Sequence, residues 1–276
     1  MPELPEVETA KRGIENAILR KTIQNVEILR YDLRVPVPQD TKHKLEGRVC
    51  ESLTRRGKYI ILNFTGGVSA ILHLGMSGRV RIYASDQAFM RQKHDHIILT
   101  MNDGTQIIYH DPRRFGFFYS TDSALWRSEK PFQKLGPEPL EDWSAEHLWH
   151  SLQGRTMPIK AALLDQSIVS GLGNIYVCEA LHCASISPVR LAKSLSKAEC
   201  AKLFTCCRAV LEKAIAAGGS TLRDYQQTDG SLGYFQYQFS VYDREGKQCP
   251  RQRCKGTISR IIQSGRSTFS CPICQK

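Results

Sequence analysis

The segment YIILNFTGGVSAILHL at residues 59–74 decides the fold class of the N-terminal half of the chain. Its two apolar, β-branched runs, Tyr59–Phe64 and Ser69–Leu74, are separated by a Thr-Gly-Gly turn. Such runs on either side of a glycine turn are typical of paired antiparallel strands. The segment therefore predicts a β-hairpin.

Similar strand-like runs continue the pattern on both sides of this hairpin. They are Ile23–Leu29, Val80–Tyr83, His96–Met101, Gln106–His110 and Phe115–Tyr119. Many short strands with turn signals between them favour a β-sandwich or barrel of about 130 residues. Apolar residues at helical spacing from Val7 to Leu19 predict a helix in front of the strands.

The sequence becomes helical after the proline-rich stretch LGPEPL at 135–140. Candidate helices are Ala145–Leu152, Ile159–Asp165, Ile175–Ala184 and Ser196–Ala217, and a strand is expected at Gln238–Tyr242. The sequence thus predicts an α+β protein, with a β-sandwich and its leading helix at 1–133, a helical domain at 134–235 and a terminal module at 236–276.

Composition points to a polyanionic partner. The 276-residue chain has a formal net charge of +11, which favours nucleic acid or another anionic surface, although an ordinary basic enzyme is the alternative. The sequence lacks an apolar run of membrane-spanning length, and its start, MPELPEVE, lacks the layout of a signal peptide. We therefore expect a soluble cytoplasmic protein.

Six of the ten cysteines lie among apolar positions and are expected to be reduced, buried thiols. They are Cys50, Cys178, Cys183, Cys200, Cys206 and Cys207. Such thiols are usual in cytoplasmic proteins, where disulfides are rare.

The other four cysteines form two pairs near the C-terminus. Cys249 and Cys254 enclose four residues, and Cys271 and Cys274 enclose two. Two such knuckles can place four thiolates tetrahedrally around one structural zinc ion, with two disulfides as the alternative. A module this short is expected to need the metal, because it cannot bury a sufficient core alone.

The residues between the two knuckles predict a basic β-hairpin. Strand-like Ile258–Ile262 and Ser267–Phe269 flank a turn that places Arg266 at or near the tip. Residues 240–276 contain eight basic and two acidic side chains, a net charge of +6. This concentration of charge suits phosphate binding, while a protein or a lipid headgroup stays open as the partner.

The N-terminus can supply a nucleophile. A small second residue favours removal of Met1, which leaves Pro2 with a free secondary amine. An amino terminus titrates near about 7.7–8, so a fraction is unprotonated at neutral pH and can attack a sugar carbon. Glu3 beside it can transfer protons. On these residues alone, a plain helix start is the stronger interpretation.

Eight motifs occur in order along the whole chain. They are PELPEVE at 2–8, RRGKYIIL at 55–62, HLGMSG at 73–78, KHDH at 93–96, DPRRFG at 111–116, LGPEPL at 135–140, GLGNIY at 171–176 and the cysteine module. Together they resemble the bacterial formamidopyrimidine-DNA glycosylases. One departure is the first knuckle, which encloses four residues where the family usually has two.

The resemblance implies a monomeric base-excision repair enzyme that acts on damaged double-stranded DNA and holds one structural zinc ion. Such an enzyme excises 8-oxoguanine and formamidopyrimidines, then cleaves the strand by β- and δ-elimination. The resemblance also implies a bacterial cytoplasmic location, at the nucleoid when DNA is bound.

Catalytic roles follow by resemblance. Pro2 is implied as the nucleophile that forms a Schiff base with C1′, and Glu3 as the proton donor for ring opening. Lys58 is implied to contact phosphate and to donate a proton in β-elimination, although a solvated lysine is its interpretation without the family. Arg266 is implied in δ-elimination and in gripping the flanking phosphates.

Three further residues resemble the set that fills the gap left by an extruded base. Met76 is a flexible apolar filler, Arg113 can hydrogen-bond the orphaned cytosine, and Phe115 is an aromatic wedge. Without the resemblance, Met76 and Phe115 would be interpreted as core residues.

Other DNA contacts are implied at His94, Arg155, Lys160 and Asn174. The glycine-rich turn at Ile168–Asn174 resembles a helix–two-turn–helix element, which makes 134–235 a DNA-binding domain and 1–133 the catalytic domain. The loop at 220–237 matches a segment that closes over the purine. His110 and Asp111 are interpreted as structural.

Two other functions stay open. A glycosylase of the endonuclease VIII type shares the N-terminal proline and the zinc hairpin but prefers oxidised pyrimidines; Leu4 and the complete Met76, Arg113 and Phe115 set argue against it. A non-catalytic zinc-hairpin DNA-binding protein would be distinguished by an acetylated or unprocessed N-terminus.

Overall fold

The computed structural model describes residues 2–220 and 227–276. Its helices are α1 (Leu4–Ile18), α2 (Thr41–Leu45), α3 (Lys130–Gln133), α4 (Ala145–Leu152), α5 (Ile159–Leu164), α6 (Asn174–Ala184) and α7 (Lys197–Ala216). Its strands are β1 (Ile23–Ile28), β2 (Cys50–Arg56), β3 (Tyr59–Phe64), β4 (Val68–His73), β5 (Arg79–Tyr83), β6 (Asp95–Met101), β7 (Gln106–His110), β8 (Phe117–Asp122), β9 (Ser259–Gln263) and β10 (Arg266–Ser270).

The chain groups into two compact units. The first comprises Met1–Gln133 and Ala217–Tyr234, and the second comprises Lys134–Ala216 and Phe235–Lys276. The boundary near residue 133 lies where the sequence becomes helical. The segment after α7 returns to the first unit. The division into three domains with these functions stays a prediction.

Helix α1 begins at a capping box, in which the first residues hydrogen-bond one another's backbone N–H groups. Glu3 is the N-cap in extended conformation, and Oε2 of Glu6 accepts a hydrogen bond from the backbone N–H of Glu3 at 2.9 Å, completing a capping box. The helix buries Val7, Ala10 and Ile14 on its apolar face. The predicted helix is confirmed, and the capping box explains why it begins at Leu4 rather than at Val7.

The first unit is a β-sandwich, as predicted. Its two antiparallel four-stranded sheets have the orders β1-β6-β7-β5 and β2-β3-β4-β8. One hydrophobic cluster contains buried residues of both sheets, such as Leu99 and Leu62, together with Ile14 of α1. The hairpin predicted at 59–74 is β3–β4, in which Tyr59 pairs with His73 and Phe64 with Val68.

The second unit contains α4–α7 and the hairpin β9–β10. Gln263 pairs with Arg266 across the two-residue turn Ser264-Gly265, whose φ values are +49° and +74°. Positive φ at both central residues is the geometry that matches the twist of the flanking strands. The predicted hairpin is therefore confirmed, with Arg266 as the first residue after the turn.

The strand predicted at Gln238–Tyr242 is wrong. A 3-10 turn occupies Phe235–Gln238, and no strand follows it in the described part of this segment. The carboxylate of Glu179 on α6 accepts hydrogen bonds from the backbone N–H groups of Ser240, Val241 and Tyr242 at 2.8–2.9 Å. A side chain thus takes the place of a neighbouring strand.

One expectation about the cysteines is also wrong. Cys183 and Cys206 form a disulfide between α6 and α7, and Cys183 is exposed rather than buried. The other four apolar-context cysteines, Cys50, Cys178, Cys200 and Cys207, are free and buried, as expected. Within residues 2–220 and 227–276, no helix has both the length and the apolar character needed to cross a bilayer.

Candidate functional site

The N-terminal residues lie in a buried setting that α1 creates. Pro2 is buried, and Glu3 and Glu6 are each 2 % exposed. Oε1 of Glu6 accepts hydrogen bonds from the backbone N–H and the hydroxyl of Ser220 at 2.8 and 3.0 Å. A single carboxylate therefore joins the backbone at Glu3 to the segment that follows α7. Sequence reasoning did not assign Glu6 a role; its position three residues after the N-cap is the signal that could have found it.

Glycines allow that segment to approach α1 closely. Gly219 has φ +80°, and a Cβ there would lie 3.0 Å from Glu6 Cγ. A Cβ on Gly233 would lie 2.4 Å from the carbonyl oxygen of Gly219, beside the antiparallel bridge between Ser220 and Tyr234. Ser220 and Tyr234, which lie within the predicted 220–237 loop, are thus held together. Its residues 221–226 lie outside the described part of the chain.

Lys58 lies in the turn between β2 and β3 and is half-buried. Its charge acts on His73, whose pKa is lowered to about 4, first by burial and then by the charges of Lys58 and Arg34. Nδ1 of His73 accepts a hydrogen bond from the backbone N–H of Gly75 at 3.1 Å, and its ring stacks on Phe117. A neutral histidine therefore supports the start of the loop that carries Met76.

The structure brings Met76, Arg113 and Phe115 onto two touching loops. Met76 is 36 % exposed and Phe115 is 42 % exposed, so neither is a core residue. The guanidinium carbon of Arg113 lies 4.8 Å from the centre of the Phe115 ring. Gly75, at φ +62°, lets the two backbones meet, because a Cβ there would lie 2.3 Å from the nitrogen of Gly116. The loops present an apolar, aromatic and cationic surface to solvent.

Asp111 holds these two loops together. Its carboxylate is fully buried and accepts hydrogen bonds from Ser77 Oγ at 2.6 Å, Tyr109 OH at 3.1 Å and Gly116 N at 2.9 Å. Ser77 Oγ in turn accepts a hydrogen bond from the backbone N–H of Arg113 at 3.1 Å. Asp111 therefore supports the loops from beneath and does not reach the surface.

His94 precedes β6 on the same unit and is half-buried. The centres of the His94 and His110 rings lie 5.9 Å apart in an edge-on arrangement. The His94 carbonyl accepts a hydrogen bond from the backbone N–H of Asp111 at 3.0 Å. Nδ1 of His110 lies 2.8 Å from the buried carboxylate of Asp95, which also binds Arg81 at 2.6 Å. His110 thus belongs to a buried network, and His94 lies at its margin.

In the second unit, two predicted DNA contacts support the hairpin. Lys160 is 1 % exposed, and its Nζ donates to the carbonyl of Ser267 at 3.0 Å and to Thr268 Oγ1 at 2.7 Å. Nδ2 of Asn174, at the first turn of α6, donates to the same Ser267 carbonyl at 2.9 Å. Both side chains fix strand β10, and contact with DNA stays a prediction for each.

Arg155 and Arg266 differ in how tightly they are held. Arg155 is half-buried, donates from Nε to the carbonyl of Ser151 at 2.7 Å and lies 3.7 Å from Asp165. Arg266 is exposed beside the hairpin turn. It lines a cavity of about 270 Å³ together with Lys160, Asp165 and Gln263. Arg266 is thus the more available of the two for an anionic ligand.

The four C-terminal cysteines converge at one point. All four Sγ atoms lie within 4.8 Å of one another, with Cys249 and Cys274 separated by 3.8 Å and Cys254 and Cys271 by 3.6 Å. A tetrahedron of thiolates at about 2.3 Å from a zinc ion has edges of about 3.8 Å. The cluster can hold a metal ion, and the longer first knuckle does not prevent its closure.

Comparison with known proteins assigns the family. Residues 1–118 match the formamidopyrimidine-DNA glycosylase N-terminal domain, and residues 135–226 match the formamidopyrimidine-DNA glycosylase H2TH domain. A formamidopyrimidine-DNA glycosylase of Paracoccus denitrificans is 50% identical, with 100% of each chain covered.

Solved structures agree with this assignment. A mutant of the Lactococcus lactis FPG protein in complex with DNA containing Fapy-dG has a TM-score of 0.90 at 35% identity, covering 100% of both chains. A MutM protein in complex with DNA containing carbocyclic 8-oxo-G has a TM-score of 0.89 at 35% identity, also covering 100% of both. From its motifs, its fold and these likenesses, the chain belongs to the formamidopyrimidine-DNA glycosylase family.

Proposed function

We propose that this protein is a bifunctional DNA glycosylase and AP lyase of base excision repair that removes oxidised purines, 8-oxoguanine and formamidopyrimidines, from duplex DNA. The observation that carries the proposal is the buried Pro2–Glu3 start, which Glu6 joins to Ser220. Family relatives bound to DNA with Fapy-dG or carbocyclic 8-oxo-G support the substrate class.

The reaction begins at the N-terminal nitrogen. Once Met1 is removed, the secondary amine of Pro2 attacks C1′ of the damaged nucleotide and the bond from C1′ to the base breaks. The base leaves with the bonding electrons and takes up the proton that the Pro2 nitrogen loses, and opening of the sugar ring then gives an iminium. Glu3 donates a proton to the sugar ring oxygen as the ring opens. Successive β- and δ-eliminations, in which Lys58 and Arg266 act, then cleave the strand on both sides. While Met1 is attached, the Pro2 nitrogen is an amide and cannot attack.

Base extrusion needs a separate surface. Unstacking a base costs a few kcal/mol, and a filler lowers that cost by occupying the vacated space. Met76, Arg113 and Phe115, exposed on two locked loops, provide the filler, the contact with the opposite cytosine and the wedge. The segment at 220–237 closes over the extruded purine.

Positively charged side chains in both units are proposed to contact duplex DNA. Residues 240–276 carry a net charge of +6, which favours phosphate contacts by releasing condensed counterions. Arg266 is an exposed cation beside the hairpin turn, and His94, Arg155, Lys160 and Asn174 complete the proposed contacts. The protein acts as a monomer.

We propose zinc as the metal of the four-cysteine cluster, because four thiolates at this spacing are the usual set for structural Zn²⁺. Its role is to staple the hairpin, and no catalytic metal is needed. Metal analysis of purified protein should find one zinc per chain. Removal of zinc by a chelator should weaken duplex binding; unchanged binding after complete removal would contradict the staple role.

We further propose that 1–133 is the catalytic domain, 134–235 the DNA-binding helical domain and 236–276 the zinc hairpin, and that the protein works in the bacterial cytoplasm, at the nucleoid when bound to DNA. Cell fractionation with and without nuclease treatment tests the location. Recovery with membranes after nuclease treatment would contradict it.

One trapping experiment tests the enzyme and its rivals. The protein is incubated with duplexes that carry 8-oxoguanine opposite cytosine or an oxidised pyrimidine, and borohydride is added to reduce the Schiff base. We expect covalent trapping, mainly on the purine lesion. Preferential trapping on the pyrimidine would indicate the endonuclease VIII type, and no trapping on either duplex would indicate a non-catalytic DNA-binding protein.

A matched control tests whether the Pro2 nitrogen is the nucleophile. A variant with a short N-terminal extension keeps the Pro2 nitrogen as an amide and leaves every side chain in place. We expect this variant to lose trapping while the wild-type protein, with Met1 confirmed absent by mass spectrometry, retains it. Equal trapping by both proteins would remove Pro2 as the nucleophile.

A further inference from the structure

Helix α6 is the platform on which the cysteine module, residues 236–276, rests. Asn174, at its start, donates to the carbonyl of Ser267 in β10. In its middle, the buried carboxylate of Glu179 accepts from three successive backbone N–H groups at 240–242. Near its end, Nε2 of His182 lies 3.4 Å from Sγ of Cys249. Contacts along the whole helix thus fix the position of the module.

The longer first knuckle caps the end of this platform. Arg251 lies within the Cys249–Cys254 knuckle, and its guanidinium donates to the carbonyl of His182 and, at 3.3 Å, to that of Cys183. Carbonyls in the last turn of a helix lack partners within the helix, and a cation there also offsets the helix dipole. The cysteine cluster is therefore tied to the last turn of α6.

The same last turn carries one sulfur of the disulfide. Cys183 is exposed, Cys206 on α7 is 7 % exposed, and their Cα atoms are 5.7 Å apart. This distance lies within the range that a disulfide spans without backbone movement. The pair therefore combines an accessible sulfur with a shielded partner, on two helices that pack together.

The remaining thiols outside the cysteine cluster differ from this pair. Cys50, Cys178, Cys200 and Cys207 are buried, and burial raises the pKa of Cys50 and Cys207 to about 12 and that of Cys200 to about 11. Only the thiolate is nucleophilic, so these buried groups react poorly with oxidants. Among them and the pair, Cys183 is the sulfur that an oxidant in solution can reach.

We propose that Cys183 and Cys206 form a reversible oxidation site, which reacts with hydrogen peroxide and, when oxidised, braces the α6 platform of the cysteine module against α7. The proposal does not depend on the glycosylase activity. It concerns a modification of this chain and its effect on stability and metal retention.

The chemistry balances in two steps. The Cys183 thiolate attacks one oxygen of the peroxide, the O–O bond breaks, and a sulfenic acid and hydroxide form, the latter leaving as water once protonated. The Cys206 sulfur then attacks the Cys183 sulfur, the S–S bond forms, the S–O bond breaks, and the hydroxide leaves as water with the Cys206 proton. Two thiols are oxidised and one peroxide is reduced to two waters; a dithiol reductant reverses the change.

The cross-link should stabilise the second unit. It joins residues with a sequence separation of 23 and so restricts the unfolded chain. We expect oxidation to raise the melting temperature by about 5 °C. Because Arg251 and Cys249 are held by the last turn of α6, we also expect the oxidised protein to release its metal to a chelator more slowly.

The test compares fully reduced and peroxide-treated protein in the wild type and in Cys183→Ser. Non-reducing peptide mapping should show a Cys183–Cys206 linked peptide in the oxidised wild type. Melting temperature and the rate of zinc transfer to a chromogenic chelator should differ between the two redox states in the wild type only. Since Cys183 is exposed, its replacement should leave folding intact, and oxidation of other cysteines would affect both proteins equally.

Cys206→Ala serves as a second variant and should behave as Cys183→Ser does. Absence of the linked peptide after peroxide treatment would overturn the oxidation site. Equal redox effects on melting and zinc transfer in the wild type and both variants would overturn the bracing role.

Discussion

The hydroxyl of Ser77 donates a 2.6 Å hydrogen bond to Oδ1 of Asp111, and both side chains are buried. Ser77 directly follows Met76, and its Oγ also accepts the backbone N–H of Arg113. The exposed residues proposed to replace a flipped base are thus held by a buried contact between their loops. A rigid support of this kind reduces the conformational entropy that the loops lose when DNA binds.

Replacement of Asp111 by asparagine should loosen these loops. The carboxylate accepts from three donors, Ser77, Tyr109 and Gly116, whereas an amide must turn an N–H toward at least one of them. We expect a loss of about 1–3 kcal/mol in the free energy of unfolding, measured by urea titration. We also expect the preference for a lesion opposite cytosine over one opposite adenine, measured as a ratio of kcat/KM, to fall about fivefold.

Asp86→Asn is the matched control, since Asp86 is exposed, and it should change neither quantity. If Asp111→Asn lost stability while the opposite-base preference stayed at the wild-type value, the support of Arg113 by this network would be refuted.

Glu6→Gln should separate base excision from strand cleavage. The Glu6 carboxylate accepts from Glu3 N and from Ser220, and an amide cannot accept on both sides. We expect an unfolding free energy lower by about 1–3 kcal/mol. Single-turnover excision of 8-oxoguanine should slow more than cleavage at a preformed abasic site, because an abasic site has no base for the proposed closing segment to enclose.

Glu15→Gln on the same helix, where the Glu15 carboxylate pairs with the Lys11 ammonium at 2.9 Å, should leave the ratio of the two rates unchanged. Equal slowing on both substrates by Glu6→Gln would show that Glu6 serves the N-terminus alone.

The sequence predicted the strands whose turns or composition are distinctive. The Ser264-Gly265 turn and the Gly-Gly turn after β3 require positive φ, which explains why both hairpins were found. Strand β2 was missed because it buries only Cys50 and Leu53, so its sequence, CESLTRR, lacks an apolar alternation.

Contacts distant in sequence could not be predicted. The false strand at 238–242 has β-like composition, but the Glu179 carboxylate, some 60 residues earlier, satisfies its backbone. Lys160 resembles a DNA-contacting lysine in sequence, yet it is buried beneath the hairpin. Sequence motifs selected the candidate residues, and the packing of α5 and α6 decided which surface Lys160 and Asn174 face.

Acid should destabilise the first unit through His73. Its pKa in the folded protein is about 4, against 6.5 for an exposed histidine, so the unfolded chain binds the proton more tightly. The stabilisation is complete above pH 6.5 and is lost as the pH falls toward 4. We expect a loss of about 2 kcal/mol in the free energy of unfolding between pH 7 and pH 5, measured by urea titration.

His73→Asn keeps an acceptor for the backbone N–H of Gly75 but does not titrate. The part of the pH dependence that belongs to His73 should therefore vanish in this variant, whatever its absolute stability. An unchanged slope between pH 7 and pH 5 would show that another group is responsible.

Arg266→Ala should weaken DNA binding in a salt-dependent way. Arg266 is exposed beside a turn fixed by two positive φ values, and strand β10 behind it is held by Lys160 and Asn174. A phosphate contact at this point releases about one counterion, so the slope of log Kd against log salt should fall by about one in the Arg266→Ala variant.

Lys202→Ala, which removes an exposed charge on α7, should leave the slope as in the wild type. The same slope in Arg266→Ala and wild type would exclude Arg266 from the phosphate contacts. A reduced slope would assign Arg266 to phosphate binding. Borohydride trapping at saturating protein should stay undiminished, because the Schiff base forms before the elimination that Arg266 is proposed to assist.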